Sequence, residues 1–210
     1  MQIEYSATKR NESLDEFITP PKLIEAVVTR VLGTLIEKDM PFTVLEPGAN
    51  LGQWGSGIKA VYDTATLTGV EIMNVGQPGA YTTWHIGDFL EWTPDKRFDV
   101  VISNPPYSKP KKNMAELIIR RSLGFLKPGG YGIFLLRTNF GNAKGRSRGL
   151  FKEFPLFKLY FLDRPSFYEH DPRTEQFGKK RTNMHDYCLY IWQKGYAGPT
   201  TAEWMTWHDD

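Results

Sequence analysis

Asn104-Pro105-Pro106-Tyr107 is the stretch of this chain whose residue types most directly suggest chemistry. At background residue frequencies the tetrapeptide arises by chance in roughly one chain in a thousand of this length. The Asn104 amide oxygen and the Pro105 carbonyl can both accept from an exocyclic amino group, so that the nitrogen rehybridises and its lone pair turns toward an electrophile. Consecutive prolines stiffen the turn and direct those two acceptors. Tyr107 can stack on the face of a base, a contact worth ~1–3 kcal/mol. The plainer alternative is an ordinary Pro-Pro turn after a strand.

Three acids can supply a site for the electrophile. In Glu46-Pro47-Gly48-Ala49-Asn50-Leu51-Gly52, small or left-handed-tolerant residues stand where a ligand must approach the backbone between a strand and a helix. The segment departs from the dinucleotide G-x-G-x-x-G pattern, and the acid ahead of it would repel a pyrophosphate. A cation suits it better. Glu71 closes a second strand, where an acid can chelate ribose hydroxyls, and Asp88 follows a third, placed to accept from an adenine amino group. Acids at three neighbouring strand ends describe a pocket for a positively charged adenosine derivative, and S-adenosylmethionine carries a sulfonium, an amine and a carboxylate. Singly, each acid reads as a strand-end turn residue or a helix cap. Their order and spacing carry the weight.

A scaffold must bring these strand ends together. Leu23, Ile24, Val27, Val28, Val31, Leu32, Leu35 and Ile36 recur at helical spacing, with Thr19 as N-cap and Pro20 and Pro21 at the first helical positions. Patterning predicts strands at Phe42–Glu46, Leu67–Ile72, Tyr81–Ile86, Phe98–Ser103, Tyr131–Leu136, Phe157–Leu162 and Tyr187–Trp192, and helices near 53–63 and 113–125. Lys127-Pro128-Gly129-Gly130 reads as a turn, and residues 168–183 as a long mobile loop. Alternating strands and helices imply an α/β fold: a mostly parallel seven-stranded sheet, helices on both faces, ligands at the carboxyl ends of the strands. We expect one domain over residues 1–194, with 1–20 as an N-terminal arm and 195–210 as a C-terminal tail.

Composition narrows the class. With 40% hydrophobic residues, 210 residues suffice for a substantial core, and the single Cys188 excludes an internal disulfide framework and a cysteine zinc cluster. No apolar run approaches the ~18 residues of a membrane span, and the first twenty residues lack an apolar leader core, so a soluble, cytoplasmic protein with no membrane partner is expected. The net charge of +2 hides an asymmetry: residues 1–103 carry 8 Lys and Arg against 14 Asp and Glu, and residues 104–210 carry 18 against 10. An acidic half suits a cationic small ligand and a basic half a polyanion.

On these motifs the chain resembles the class I amino-methyltransferases, most closely the N6-adenine DNA methyltransferases in which the cofactor motif precedes the catalytic one. The likeness implies a Rossmann-like class I methyltransferase fold, S-adenosylmethionine as cofactor and direct methyl transfer to an extruded adenine, with no metal. Phe17-Ile18-Thr19-Pro20-Pro21 resembles the family's upstream cofactor motif, so Phe17 and Thr19 would lie over the methionine end. Glu46 to Gly52 resembles the E-P-x-x-G-x-G segment, with Asn50 in place of a usual Gly, so Glu46, Gly48, Asn50 and Gly52 would line the cofactor; Glu71 and Ile72 resemble the ribose and adenine edge, and Asp88 and Phe89 the adenine amino contact. Asn104, Pro105, Pro106 and Tyr107 match the catalytic motif. Arg164-Pro165-Ser166-Phe167 is similar to a later motif whose aromatic meets the opposite face of the base; Phe167 can equally be a core or loop-anchoring aromatic.

Sequence-specific members carry a target-recognition domain, for which this chain has no room; a compact form of this kind would suit a phage or mobile-element enzyme. Contact with nucleic acid, DNA first, then falls to basic loops around Lys109, Arg146 and Lys180, whose alternative is solvated surface charge. RNA adenine and protein glutamine methyltransferases share the tetrapeptide, and an inactive nucleic-acid-binding module on the same fold is a rival of another class. No Pro-Cys nucleophile motif is present, so attack at cytosine C5 is not expected.

Overall fold

The computed structural model describes residues 18–107, 111–171, 176–180 and 184–208. Helix α1 (Pro21–Ala26) starts on the second of the two expected prolines and runs through a π-helical stretch, Val27–Leu32, into a last turn, α2 (Gly33–Leu35). The residue ahead of the helix is Pro20, not Thr19, and no side chain caps the first amides. Strands β1 (Thr43–Pro47), β2 (Thr66–Glu71), β3 (Thr83–Ile86), β4 (Phe98–Ser103) and β5 (Leu126–Arg137) come with helices α3 (Gln53–Val61) and α4 (Met114–Phe125). A short 3-10 turn (Thr138–Asn142) and two short helices, α5 (Lys144–Arg148) and α6 (Leu150–Glu153), lead to β6 (Lys158–Leu162). The chain continues through β7 (Tyr168–Asp171), β8 (Gln176–Lys180), β9 (Tyr187–Gln193) and β10 (Thr201–Met205).

Eight strands form one sheet in the order β10-β6-β9-β5-β4-β1-β2-β3. All neighbours are parallel except β9, which runs antiparallel to both β5 and β6. Alternate residues of the central strands face two helical layers: Val44, Ile102 and Leu135 pack with Val27 and Ile58, whereas Leu45, Val101 and Phe134 pack with Ile118 and Leu123. Burial on both faces is why these strands read as continuous apolar runs. Strand order reverses between β1 and β4, and in such sheets ligands bind in the crevice at the carboxyl ends beside that reversal. Ser103 Oγ donates to the Pro47 carbonyl at 2.7 Å, tying the two strand ends together there.

Three expectations need correction. The sheet has eight strands, not seven, because residues 195–210 are more than a tail: β10 lies along β6 from Thr201↔Lys158 to Met205↔Leu162. It is an edge strand whose first four residues are exposed, so no apolar alternation marks it. The Lys127–Gly130 turn lies inside β5, whose pairing with β4 shifts register between Phe98 and Val100 to accommodate the extra residues. The stretch read as a mobile loop holds β7 and β8, paired as a separate antiparallel ribbon, while 172–175 and 181–183 lie outside the described residues. Ile18 and Tyr168 exchange two backbone hydrogen bonds, of 3.0 and 3.2 Å, which fasten the ribbon's base to the segment ahead of α1. No helix among the described residues is long and apolar enough to cross a membrane.

Candidate active site

Between β1 and α3 the chain takes three left-handed steps, at Gly48 (φ 64°), Asn50 (φ 49°) and Gly52 (φ 75°). Asn is among the few residues with a side chain that adopt this region readily, so the departure from Gly at position 50 leaves the turn intact. The Gly48 and Ala49 amides donate to the Val70 carbonyl at 2.9 and 3.2 Å, laying the turn against the end of β2.

Glu46 and Glu71 are both buried, with 3% and 4% exposure, and each accepts from at least one backbone amide. Glu71 accepts from the Asn50 amide at 2.7 Å and the Met73 amide at 2.9 Å. Burial nonetheless raises its pKa above the ordinary carboxyl value. Glu46 accepts from the Gly55 amide at 3.1 Å and from the Tyr81 hydroxyl. Burial dominates there as well: the pKa is pushed up to about 8, against the lowering effect of the Tyr81 and Gly55 bonds and with added repulsion from Glu71. Asp88 accepts from the Leu90 amide at 2.9 Å and lies 3.8 Å from Lys111 Nζ.

One cavity collects these groups. Glu46, Gly48, Asn50, Glu71, Asp88 and Asn104 all line it, so the three acids and the first residue of the tetrapeptide share a wall. Thr19, Ile72, Phe89 and Pro106 line it too. Asn104 Nδ2 donates to Thr19 Oγ1 at 3.3 Å, a contact that turns the amide oxygen away from Thr19. Gly52 stands behind the wall as the residue ahead of α3; a Cβ there would come within 2.7 Å of Pro78 and Tyr81.

Tyr107 lies outside that lining. Its hydroxyl donates to the Leu135 carbonyl at 3.3 Å, and the Arg137 guanidinium sits 4.8 Å from its ring centroid. Pro105 is buried. Phe167 is 3% exposed and packs in the core, 4.9 Å from the Tyr187 ring, which agrees with the anchoring alternative. Arg146 is tied down: it lies 3.3 Å from the Glu116 carboxylate, donates to the Phe140 carbonyl at 3.0 Å and stacks 4.0 Å over that ring. Phe17, Lys109 and the Lys180 side chain lie outside the described residues. Tyr81, Ser103 and Arg137 were not singled out by sequence, because none belongs to a local motif.

Residues 29–154 match the methyltransferase small domain profile, more than half of the chain. The chain belongs to the methyltransferase small domain family. A type II methyltransferase, M.CvrRI of Paramecium bursaria Chlorella virus XZ-6E, is 31% identical over 104 residues, covering 48% of this chain. The chain spans about a quarter of that relative, 26% of its length. A Listeria monocytogenes protein assigned as a class I S-adenosylmethionine-dependent methyltransferase superposes with TM-score 0.68 at 16% identity, over 96% of this chain and 69% of the other. A Pyrococcus horikoshii protein assigned as an RNA methyltransferase gives 0.62 at 17%, over 90% and 92%. Both likenesses show the fold: the Rossmann-like methyltransferase architecture, here with eight strands.

S-adenosylmethionine is the cofactor of this methyltransferase. The cavity fits it on two counts. Two buried carboxylates suit a cation, and Trp54, also on the wall, has a buried indole N–H without an acceptor, suited to a ligand's negative group.

Proposed function

We propose that this methyltransferase acts on the N6 amino group of an adenine in nucleic acid, DNA in preference to RNA, with the base turned out of its stack. The observation that carries the reading is the shared wall: Asn104 lines the same cavity as Glu46 and Glu71. The viral type II methyltransferase relative supports DNA, as does the excess of positive charge after residue 103.

S-adenosylmethionine supplies an electrophilic methyl group on a sulfonium. Glu46 and Glu71 would hold its positive and ribose ends, and Asp88 would meet its adenine. Thr19 fixes the Asn104 amide so that Oδ1 remains available to an incoming amino group. The Pro105 carbonyl is the second acceptor, and together the two oxygens aim the nitrogen lone pair into the cavity. Tyr107 stacks on the base. The nitrogen's surplus proton leaves to solvent, since no side chain of the tetrapeptide is a base at neutral pH.

Transfer of labelled methyl should be followed in parallel to duplex DNA, single-stranded DNA, RNA and a glutamine peptide, with the modified nucleoside identified after digestion. N6-methyladenine in DNA is the expected product. Asn104→Ala should lower turnover at least ~100-fold with cofactor affinity nearly unchanged, because the deleted acceptor acts on the target amine. Label confined to RNA or to the peptide would replace the substrate assignment, and near-normal turnover in the variant would sink the mechanism.

A further inference from the structure

Four arginines among the described residues are half-buried: Arg120, Arg121, Arg137 and Arg146. Three of them are matched to acceptors. Arg120 pairs with Glu116 and Glu153, Arg146 pairs with Glu116, and Arg121 donates to the carbonyls of Phe89 and Trp92. Arg137 differs. Its Nε, like that of Arg146, is buried without a hydrogen-bond acceptor, but where Arg146 has the Glu116 carboxylate beside it and a bond to the Phe140 carbonyl, no carboxylate among the described residues pairs with Arg137. Its guanidinium lies instead over the face of Tyr107, 4.8 Å from the ring centroid.

A half-buried cation without a counter-charge is costly to hold, and a planar guanidinium matches phosphate oxygens in a two-pronged geometry. The position is specific as well as the chemistry. Arg137 is the last residue of β5, next to β4, whose end leads directly into Asn104. It therefore stands at the carboxyl edge of the sheet, beside the aromatic that the proposed function assigns to the target base. Across the sheet it is in register with Tyr187, whose ring lies 6.4 Å from that of Tyr107.

We infer that Arg137 is the seat for the phosphate of the target nucleotide, its guanidinium resting on Tyr107 until a phosphate draws it off. The inference rests on the proposed function, because it takes Tyr107 as the base-stacking residue. It assigns the acceptor as the phosphodiester attached to the extruded nucleoside. Arg137 is then a positioning residue: it holds the nucleotide while Asn104 and Pro105 act on its base. It also gives the slot a preference for nucleotides over nucleosides that the tetrapeptide alone would not confer.

Adenosine and adenosine 5′-monophosphate, the two probes, differ by that phosphate alone. Their dissociation constants should be measured by ligand-observed NMR on the protein loaded with S-adenosylhomocysteine. The native protein should bind the monophosphate about tenfold more tightly than adenosine, the effect of one charge-assisted contact of roughly 1.4 kcal/mol. Arg137→Met keeps the apolar stem over Tyr107, and it should bind the two probes equally while its adenosine affinity stays near the native value. Arg137→Lys should restore part of the preference. Equal binding of both probes by the native protein, or a preference that survives in Arg137→Met, would overturn the seat while leaving the base reading intact. Failure of either probe to displace the other, with neither perturbing Tyr107, would instead show that no adenine slot exists there, and the proposed function would fall with it.

Discussion

The perturbation with the clearest expected signature is the charge on Glu46. With its pKa near 8, the ligand-free protein at pH 6 carries an ionised Glu46 in about 1% of molecules, and at pH 8 in about half. A cationic cofactor needs the ionised form, so its apparent affinity should rise about 50-fold from pH 6 to pH 8, roughly 2.3 kcal/mol, and level off above. Binding should release close to one proton at pH 6 and about half a proton at pH 8. Calorimetry with S-adenosylmethionine in two buffers of different ionisation enthalpy measures both quantities. The cofactor's own amine titrates in this range, but it does so equally with Glu46→Gln, so the difference between the two proteins isolates the residue. Stability should run the other way. The folded-state pKa is raised from 4.5, so the stabilising contribution is fully present below 4.5 and is lost as pH climbs to 8; Glu71, raised by its burial, acts in the same direction. Equal pH dependence in the native protein and in Glu46→Gln would refute the reasoning, because the slope would then belong to the ligand or to another group.

The other expectations draw on neighbouring parts of the site. Tyr81→Phe removes a hydroxyl whose bond lowers the Glu46 pKa, so the rise of affinity with pH should move to higher pH, read by the same calorimetry. Gly55→Ala would put a Cβ 2.4 Å from the Tyr81 ring and should cost about 1–3 kcal/mol in denaturant unfolding, the range for overpacking. Glu71→Ala should weaken S-adenosylmethionine binding by roughly 1.5–3 kcal/mol, the scale of hydrogen bonds to a charged group, and unchanged affinity would remove Glu71 from the site. Replacing Lys179, Lys180 and Arg181 together should lower the slope of log affinity for DNA against log salt by about one for each phosphate that these cations neutralise, with cofactor binding unaltered; a parental slope would show that this segment does not meet the backbone.

Legibility of the site followed the range of the interactions that build it. The turn from Glu46 to Gly52 is a local matter of backbone conformation, and the left-handed step at Asn50 follows from its residue type. Tetrapeptide and acids were visible because each lies at or just beyond the end of a strand, and the α/β alternation alone places strand ends side by side. Pairings across the chain were not visible. Tyr81 reaches Glu46 over 35 residues, Ser103 reaches Pro47 over 56, and Arg137 meets Tyr107 across the β4–α4–β5 crossover. Strand β10 escaped for a different reason: at the sheet's edge most of its residues face solvent, so burial imposed no pattern on them.

A physical trace of the Tyr81 contact nevertheless exists in the sequence. Helix α3 has nine residues, and two of its interior positions, Gly55 and Gly57, carry the residue that costs about 1 kcal/mol against alanine in a helix. Such a cost is retained where a side chain cannot fit. A Cβ at Gly55 would lie 2.4 Å from the Tyr81 ring, and one at Gly57 would lie 2.4 Å from Ile24 of α1. The first glycine lets Tyr81 close over Glu46, and the second lets α1 dock against α3, bringing the segment that bears Thr19 toward Asn104. Two helix glycines therefore mark close approaches from both sides of α3. Identifying the approaching groups required the three-dimensional arrangement, because neither Tyr81 nor Ile24 differs by type or spacing from an ordinary core residue.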